Sequence, residues 1–588
     1  MTTAILGIDL GTTNSEVAFY EDGKVTVIEG PDGKLFPSYV GLDDQQNLLV
    51  GGAARNQYVL YPERTIKSIK RLMGSSDPVE MGDSRYMPQE ISAMILRHLK
   101  QAAEECLGHS IERAVITVPA FFSDQQRRAT REAGEIAGLE VVKMINEPTA
   151  ATLVYESNHV GSKRVLVYDL GGGTFDVSVV QLQDGVIEVV ASHGNNQLGG
   201  DDFDTLVEEW ILEQLQEDGI QDVSRQAQAR IKRASEEAKK VLSVHPFAQI
   251  EEEYLLEHDG GPYNLNLELE RTAFEEMITP LIDETLDSVH VVLKDAGLTA
   301  SDIDEVLLVG GSTNIPRIQK VLEEVFSQPP RREVDPDLCV ASGAALQAAM
   351  LSGEQVQSIL VDVTPYTFGT SAIGDIDGEY CTDVFVPLIT KNSPVPITRS
   401  EVFYTVTDNQ KDVEVKVYQG EASHALDNLE VGSFHIQGLS QRPAGSEIIA
   451  TFSLNTDGIL QVQAMEKATG MAKSITIDNV LSRDSEESLA AARNRINRLF
   501  GADSADIEEE PEEDVGEDNG TGSEPGISAE VLSLIEKARN LMDTVSEDDR
   551  EDLVDLVEQL TTASKENDTA RVEEALEELT EIIFFLES

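Results

Sequence analysis

Short apolar runs that stop at a glycine-bearing turn punctuate the first 350 or so residues. Val165-Leu166-Val167-Tyr168 stops at Asp-Leu-Gly, and Val306-Leu307-Leu308-Val309 stops at Gly-Gly. Such runs predict buried strands that end at a loop. Apolar positions three and four apart predict helices, at Ile91, Met94, Ile95, Leu96 and Leu99, and again at Ile231, Ala234, Ala238, Val241 and Leu242. Strand alternating with helix predicts an α/β architecture up to residue 353. A short apolar bridge, residues 354–363, follows. The texture then changes to strict alternation, with Val413, Val415 and Val417 set between Glu414, Lys416 and Tyr418, and Ile475 and Ile477 flanking Thr476. Turn signals at Asp427-Asn428, Thr456-Asp457-Gly458 and Ala468-Thr469-Gly470 make residues 364–481 an all-β module. Residues 482–500 again read as a helix.

One repeat changes the picture more than any single element. Gly7-Ile8-Asp9-Leu10-Gly11-Thr12-Thr13-Asn14-Ser15 is echoed by Val167-Tyr168-Asp169-Leu170-Gly171-Gly172-Gly173-Thr174-Phe175-Asp176. Each copy runs strand, Asp-Leu-Gly, a turn of small residues, then a second strand (Val17-Ala18-Phe19; Val177-Ser178-Val179-Val180). Duplicated hairpins predict two related halves that face each other across a cleft.

Composition narrows the functions. The 588 residues carry 45 Lys and Arg against 107 Asp and Glu, a formal charge of −62. A field of that sign repels phosphate backbones and anionic lipid, which speaks against nucleic acid and membrane surfaces as partners. No run of eighteen apolar residues predicts a membrane span, and the N-terminus lacks the pattern of a signal peptide. The three cysteines, Cys106, Cys339 and Cys381, lie far apart, and the nine histidines are scattered. They form neither a disulfide framework nor a CxxC metal site, so a reducing cytoplasm is expected. Residues 501–526 hold eleven acids and no Lys or Arg, which predicts disorder. Three amphipathic stretches within 527–588 predict a small helical bundle.

The hairpins carry the candidate chemistry. Turns of Gly11, Thr12, Thr13 and Asn14, and of Gly171, Gly172, Gly173 and Thr174, leave backbone N–H groups free to cradle phosphate oxygens. Asp9 and Asp169, one at each strand end, suit the hydration shell of Mg²⁺. A third glycine turn, Gly310-Gly311-Ser312, would let a nucleoside approach the backbone. An Asp before Gly is by itself more often a plain turn. No GxxxxGK[ST] occurs, so a P-loop is excluded.

Read together, several strings resemble the DnaK-type seventy-kilodalton heat-shock chaperone family. They are Gly7 to Ser15, Ile69-Lys70-Arg71-Leu72, Val115 to Ala120, Asn146 to Ala151, Asp169 to Asp176, Leu198-Gly199-Gly200, Val309 to Thr313 and Val361 to Pro365. The resemblance implies an actin-like ATPase domain of duplicated halves (1–353), an interdomain linker (354–363), a β-sandwich that grips extended peptides (364–481) and a C-terminal helical lid that begins with the helix 482–500. It implies ATP and Mg²⁺, with Lys70 at the γ-phosphate and Asp9, Asp169 and Glu147 ordering the metal waters and the attacking water. Thr174 corresponds to a threonine that can become autophosphorylated. The nucleotide contacts carried over include Gly199, Gly200, Asp201, Glu236, Lys239, Lys240, Ser243, Gly310, Gly311, Ser312, Asn314 and Asp337. Without the resemblance, Lys239 reads as a surface ion pair with Glu236 or Glu237. Pro119, Arg127, Lys143 and the linker residues Ile359, Leu360, Val361 and Asp362 match positions that couple the domains. Thr370, Ile373, Phe403, Val406, Val413, Val415, Ile475 and Ile477 match the peptide pocket, although by pattern alone such residues are core. Implied partners are unfolded polypeptides, a J-domain co-chaperone and a nucleotide exchange factor, with a monomer as the working form.

The sequence also departs from the family. Asn314 stands where Arg is usual, which removes a guanidinium from the adenine face unless Arg317 substitutes. The stretch Gly74–Pro88 is short, Lys143 replaces an Arg, Thr370 an Ile and Val406 an Ala. The acidic segment 501–526 interrupts the lid and predicts a tethered rather than rigid one. Two other functions share the duplicated cleft. A small-molecule phosphotransferase would lack the linker and β module, and a non-cycling ATP-binding relative would not need Lys70, Glu147 and Thr174 together.

Overall fold

Two sheets of the same internal order are the frame of the computed structural model, which describes residues 4–156, 161–183, 185–331, 335–354, 358–376, 378–470, 472–476 and 482–501. In the first sheet the order is Glu140–Asn146, Arg113–Val118, Ile5–Asp9, Asn14–Glu21, Lys24–Val27. In the second it is Glu305–Val309, Lys163–Leu170, Phe175–Gln183, Val186–Asn195. Each has an antiparallel hairpin, Ile5–Asp9 with Asn14–Glu21 and Lys163–Leu170 with Phe175–Gln183, flanked by a parallel strand. The repeat seen in the sequence is therefore a repeat of sheets, and Asp9 and Asp169 end equivalent strands. The buried faces explain why these strands read as continuous apolar runs: Leu6, Ile8, Val165, Leu166 and Val167 are fully enclosed.

Helices Glu147–Glu156 and Cys339–Leu351 pack between the sheets. Their sequences, rich in alanine, let the backbones approach closely. A side chain on Gly343 would collide with the Ala150 carbonyl, and one on Gly7 would collide with the backbone of Ala345. Helix Pro88–Leu107 starts on a proline and stops at Gly108 (φ 74°), as helix ends favour. Helix Asp124–Ile136 starts at a capping box. The Ser123 hydroxyl accepts from Gln126 N–H, and the Gln126 side chain accepts from Ser123 N–H. The shortened stretch before Pro88 forms a small hairpin, Val79–Met81 with Ser84–Tyr86.

The bridge segment adds a strand, Ile359–Val363, to the second sheet, parallel to Val186–Asn195. Beyond it come two four-stranded antiparallel sheets, one built on Phe368–Ile376, Glu379–Ile389, Asp412–Gln419 and Leu429–Gln437, the other on Ile397–Tyr404, Glu447–Leu454, Leu460–Glu466 and Ala472–Thr476. They enclose a core of Phe368, Ile389, Val417, Phe452, Leu460 and Val462.

Helix Ser482–Leu499 lies on the first half of the molecule rather than over these sheets. Ala492 and Ile496 are buried in the core cluster of that half. Arg495 pairs with Glu90, Arg97 with Asn497, and Arg493 donates to the Glu135 carbonyl at 2.6 Å. The apolar stripe and basic face of this helix match a groove between helices Pro88–Leu107 and Asp124–Ile136, which the sequence pattern had no means of choosing. The expected disordered stretch 501–526, apart from Gly501, and the expected bundle 527–588 lie outside the described residues, as does Ile477. Among the described residues no helix is long and apolar enough to cross a membrane.

Candidate functional site

The facing hairpin turns border a cavity of 590 Å³. They touch: a side chain on Gly172 would collide with the Thr13 hydroxyl. Gly11, Thr12, Thr13 and Asn14 line one side, and Gly171, Gly172 and Thr174 line the other. Gly310, Gly311, Ser312, Asn314 and Asp337 close one end, with Glu236, Lys239, Lys240 and Ser243 from helix Arg225–Val244 beside them. Gly173, Gly199, Gly200 and Asp201 do not line the cavity. Gly199 packs against the backbone of Gly172 and Gly173, and Asp201 accepts a hydrogen bond from Ser68 at 2.5 Å. Their contribution is to hold the second turn in place.

At the floor, Lys70 donates to Glu147 at 2.6 Å. Lys70 sits in a short helical turn, Ile69–Leu72, entered through Ser68 in the left-handed region, and only 4 % of it is exposed. Glu147 opens helix Glu147–Glu156, where a carboxylate also suits the positive end of the helix. Asp9 accepts from the Thr117 hydroxyl at 2.7 Å. Asp169, Asp176 and Glu16 complete a buried cluster of acids.

The charges of this cluster oppose one another. Burial works against the Lys70 ammonium, but Glu147, Asp9 and Asp169 outweigh it and keep Lys70 protonated, its pKa raised. Burial, with Asp9 and Asp176 and against Lys70, pushes Glu147 up to about 7. Asp169 is raised well above the usual carboxylate range by burial and by Glu147, Asp176 and Asp9. Burial lifts Asp176 to about 6 against the Phe121 N–H that it accepts. Burial and Asp9 raise Glu16. One lysine against five acids leaves an oxygen-only donor set short of positive charge, which fits a hard divalent cation.

Glu147, Asp169, Asp176 and Glu16 bind protons more tightly in the folded chain than in the unfolded one. The stability that they contribute is complete below about pH 4 and is lost as pH rises through about 6 and 7, the folded values of Asp176 and Glu147. The melting temperature of the nucleotide-free chain is therefore expected to fall between pH 5.5 and pH 7.5. Asp176→Asn, which keeps an acceptor for Phe121, should flatten that fall in thermal scans. An unchanged slope would contradict the assignment.

Several expectations are redirected. Lys239 does not pair with Glu236 or Glu237. It donates to the Gly200 carbonyl at 2.8 Å and pairs with Asp204 at 2.8 Å, while Lys240 takes Glu236 at 2.8 Å. One step along the helix separates the two lysines, and both line the cavity, but they meet different acids. Asn314 turns back to the Gly311 carbonyl at 2.9 Å, and Arg317 does not line the cavity. Glu16, Tyr39, Asp32 and Arg55 line it without having been singled out. For Glu16 there was a signal, a lone acid inside a buried apolar strand. Asp32 comes from a turn, Tyr39 from the start of the short strand Tyr39–Leu42 and Arg55 from the short helix Gly52–Tyr58, none with such a mark.

From this floor a polar path leads outward. Arg127 is buried and donates to the Ala120 carbonyl at 2.9 Å and to Asn146 at 2.8 Å. Asn146, next to Glu147, donates to Asp362 at 2.8 Å, and Thr149 does so at 3.1 Å. Phe121, whose N–H binds Asp176, accepts from the Tyr366 hydroxyl at 2.6 Å. Asp457 of the β module pairs with Arg131 and accepts from Met144 N–H at 3.2 Å. Pro119 is buried at the end of its strand, whereas Lys143 is half-buried on the neighbouring strand and away from the cavity. Ile359 remains 63 % exposed, while Leu360 and Val361 are partly covered.

The expected peptide-pocket residues divide. Val415 is buried in the sandwich core, and Phe403 and Val413 are partly buried against it. Thr370 is buried and donates to the Lys416 carbonyl at 2.7 Å. Ile373 and Val406 are exposed, Val406 by 61 %. Ile475 lies on strand Ala472–Thr476 opposite Val462.

A family model described as Hsp70 protein matches residues 5–81 and 77–586. The Chaperone protein DnaK of Thermosipho africanus (strain TCF52B) is 42% identical over 591 residues, covering 98% of this chain and 94% of that protein. The Chaperone protein DnaK of Thermosipho melanesiensis is 41% identical over 589 residues, covering 98% of this chain and 95% of that protein. The chain belongs to the Hsp70 family, as an ATP-dependent chaperone of the DnaK type.

Proposed function

We propose that the cavity between the hairpins binds ATP with Mg²⁺ and hydrolyses it, and that the strand Ile359–Val363 relays the result to a peptide-gripping β module. The observation that carries this reading is the buried Lys70–Glu147 pair set between Asp9 and Asp169 at the touching turns. The glycine and threonine N–H groups of both turns hold the phosphates. Lys70 keeps its proton and stabilises charge that develops on the γ-phosphoryl group. Glu147, poised near neutral pH, orients the attacking water and accepts its proton. Asp9 and Asp169 would hold a Mg²⁺ through its waters, and the metal would neutralise charge on the phosphates. Thr174 presents its hydroxyl at the same place, which suits occasional phosphorylation. Glu236, Lys239, Ser243, Gly311 and Asp337 surround the nucleoside end.

In this reading residues 1–353 are the ATPase domain, 354–363 the linker, 364–481 the substrate domain and 482–500 the start of the lid. The docked arrangement, with the linker in the second sheet and Asp457 on Arg131, is the state tied to the occupied cleft. Loss of the γ-phosphate loosens the Asn146–Asp362 and Phe121–Tyr366 contacts, and the module then closes on an extended apolar segment. Unfolded polypeptides are the substrates, a J-domain protein and an exchange factor the partners, and the cytoplasm the location. Single-turnover ATP hydrolysis with and without an extended apolar peptide tests the reading. Hydrolysis stimulated by peptide is expected. Phosphate transfer to a small hydroxyl compound, or nucleotide binding without turnover, would overturn it.

A further inference from the structure

Away from the cleft, the fold assembles a group whose parts the sequence leaves 43 positions apart. Cys381 and Asp383 stand two residues apart on strand Glu379–Ile389, and His424 comes from the loop between strands Asp412–Gln419 and Leu429–Gln437. The Cys381 thiol donates to Asp383 Oδ1 at 2.8 Å. Its sulfur is 3.6 Å from His424 Nδ1, and that nitrogen is 3.5 Å from Asp383 Oδ2. The three donor atoms all lie within 4.8 Å of one another. Cys381 and Asp383 are partly buried, while His424 is exposed.

Backbone contacts fix this approach. Phe385 N–H donates to the Ser423 carbonyl at 2.9 Å, and Val384 bridges His424. Asn428 ties the loop to itself by accepting from Ala422 N–H at 2.9 Å and donating to the His424 carbonyl at 3.0 Å. Phe385, Tyr418 and Ala425 form a small buried cluster in the same part of the sheet. The histidine is thus held over the strand by the fold and not by its own ion pair.

We propose that Cys381, Asp383 and His424 bind a borderline divalent cation, with Zn²⁺ as the ion that their chemistry suits. A single imidazole nitrogen faces both the sulfur and the carboxylate. Hydrogen bonding through one nitrogen satisfies one of them, whereas a metal at their centre satisfies all three. With metal bonds of about 2.0–2.3 Å at tetrahedral angles, ligand atoms stand about 3.3–3.6 Å apart. The sulfur-to-Nδ1 separation of 3.6 Å and the 3.5 Å from Nδ1 to Asp383 Oδ2 already have that length, and the thiol hydrogen bond to the other carboxylate oxygen, Oδ1, opens when its proton leaves. Thiolate and imidazole select against Mg²⁺ and Ca²⁺. Binding forms the Zn–S, Zn–N and Zn–O bonds and releases the thiol proton to water. Thiolate, carboxylate and dication sum to zero charge, and the fourth position is open to water. The bound ion clips the hairpin Phe368–Ile389 to the loop after Gln419.

Co²⁺ titrated into the full-length chain is the test, with Zn²⁺ as competitor. A thiolate-to-cobalt charge-transfer band is expected, abolished by one equivalent of Zn²⁺ and unaffected by excess Mg²⁺. Cys381→Ser should lose the band and Cys106→Ser should keep it. His424→Ala, a change at an exposed side chain, should also weaken binding and removes any ambiguity from a disturbed hairpin. A band that survives both Cys381→Ser and His424→Ala, or cation uptake that Mg²⁺ displaces, would overturn the proposal. ATP hydrolysis serves as a control and should not change in these variants.

Discussion

Lys70→Ala is expected to lower the rate of ATP hydrolysis by about two to three orders of magnitude, the loss typical when one charge-stabilising group is removed from a preorganised site. Nucleotide binding should survive, because the turns that hold the phosphates are built on backbone N–H groups. The variant also removes the cation that opposes burial at Glu147. The Glu147 carboxyl then holds its proton more tightly, and the acid limb of the residual pH–rate profile should move to higher pH. A lysine that served only to fill space would leave that limb in place. Quenched-flow single-turnover measurements from pH 6 to pH 9 separate the two outcomes, and wild-type turnover would refute the assignment.

The second large effect is expected at the interface of the β module. Asp457→Ala strips Arg131 of its carboxylate and Met144 N–H of its acceptor, both partly buried. Truncating one partner of such a charge pair costs about 2–5 kcal/mol, or roughly thirtyfold to several-thousandfold in the docked equilibrium. Arg127 keeps its bonds to Ala120 and Asn146, so the ATPase half stays intact. The affinity for an extended apolar peptide without nucleotide should be unchanged, while ATP should no longer speed its release. Fluorescence anisotropy of a labelled peptide, chased with and without ATP, reads this directly. Full acceleration by ATP in the variant would show that this docked contact does not carry the coupling.

The hairpin turns were legible because everything that makes them is local. Strand, Asp-Leu-Gly, small turn and strand are written within 14 residues, twice, and their repetition implied two facing halves. The helices Pro88–Leu107 and Arg225–Val244 were legible for the same reason, since an apolar stripe is a property of one segment. Lys70 and Glu147 were identified by resemblance, but their direct pairing was not legible, because 77 positions separate them and nothing in either neighbourhood names the other. The same holds for Asn146 with Asp362, 216 positions apart. Lys239 illustrates the limit within one helix. Its sequence neighbours offered Glu236 and Glu237, and the fold gave it Asp204 from another helix. The helix after residue 481 was visible as a helix, but its seat on Glu90 and Glu135 was not.

The sequence alone determined the strands, the helices, the duplicated phosphate-binding turns and the break between α/β and all-β texture, because short-range periodicity and turn chemistry act over a few residues. Only the tertiary structure decided which acids share the floor of the cleft, which acid each lysine beside it meets, how the strand Ile359–Val363 joins a sheet and which cysteine meets a histidine. Those pairings depend on chain closure over tens to hundreds of residues, where burial and the summed field of distant charges set the outcome.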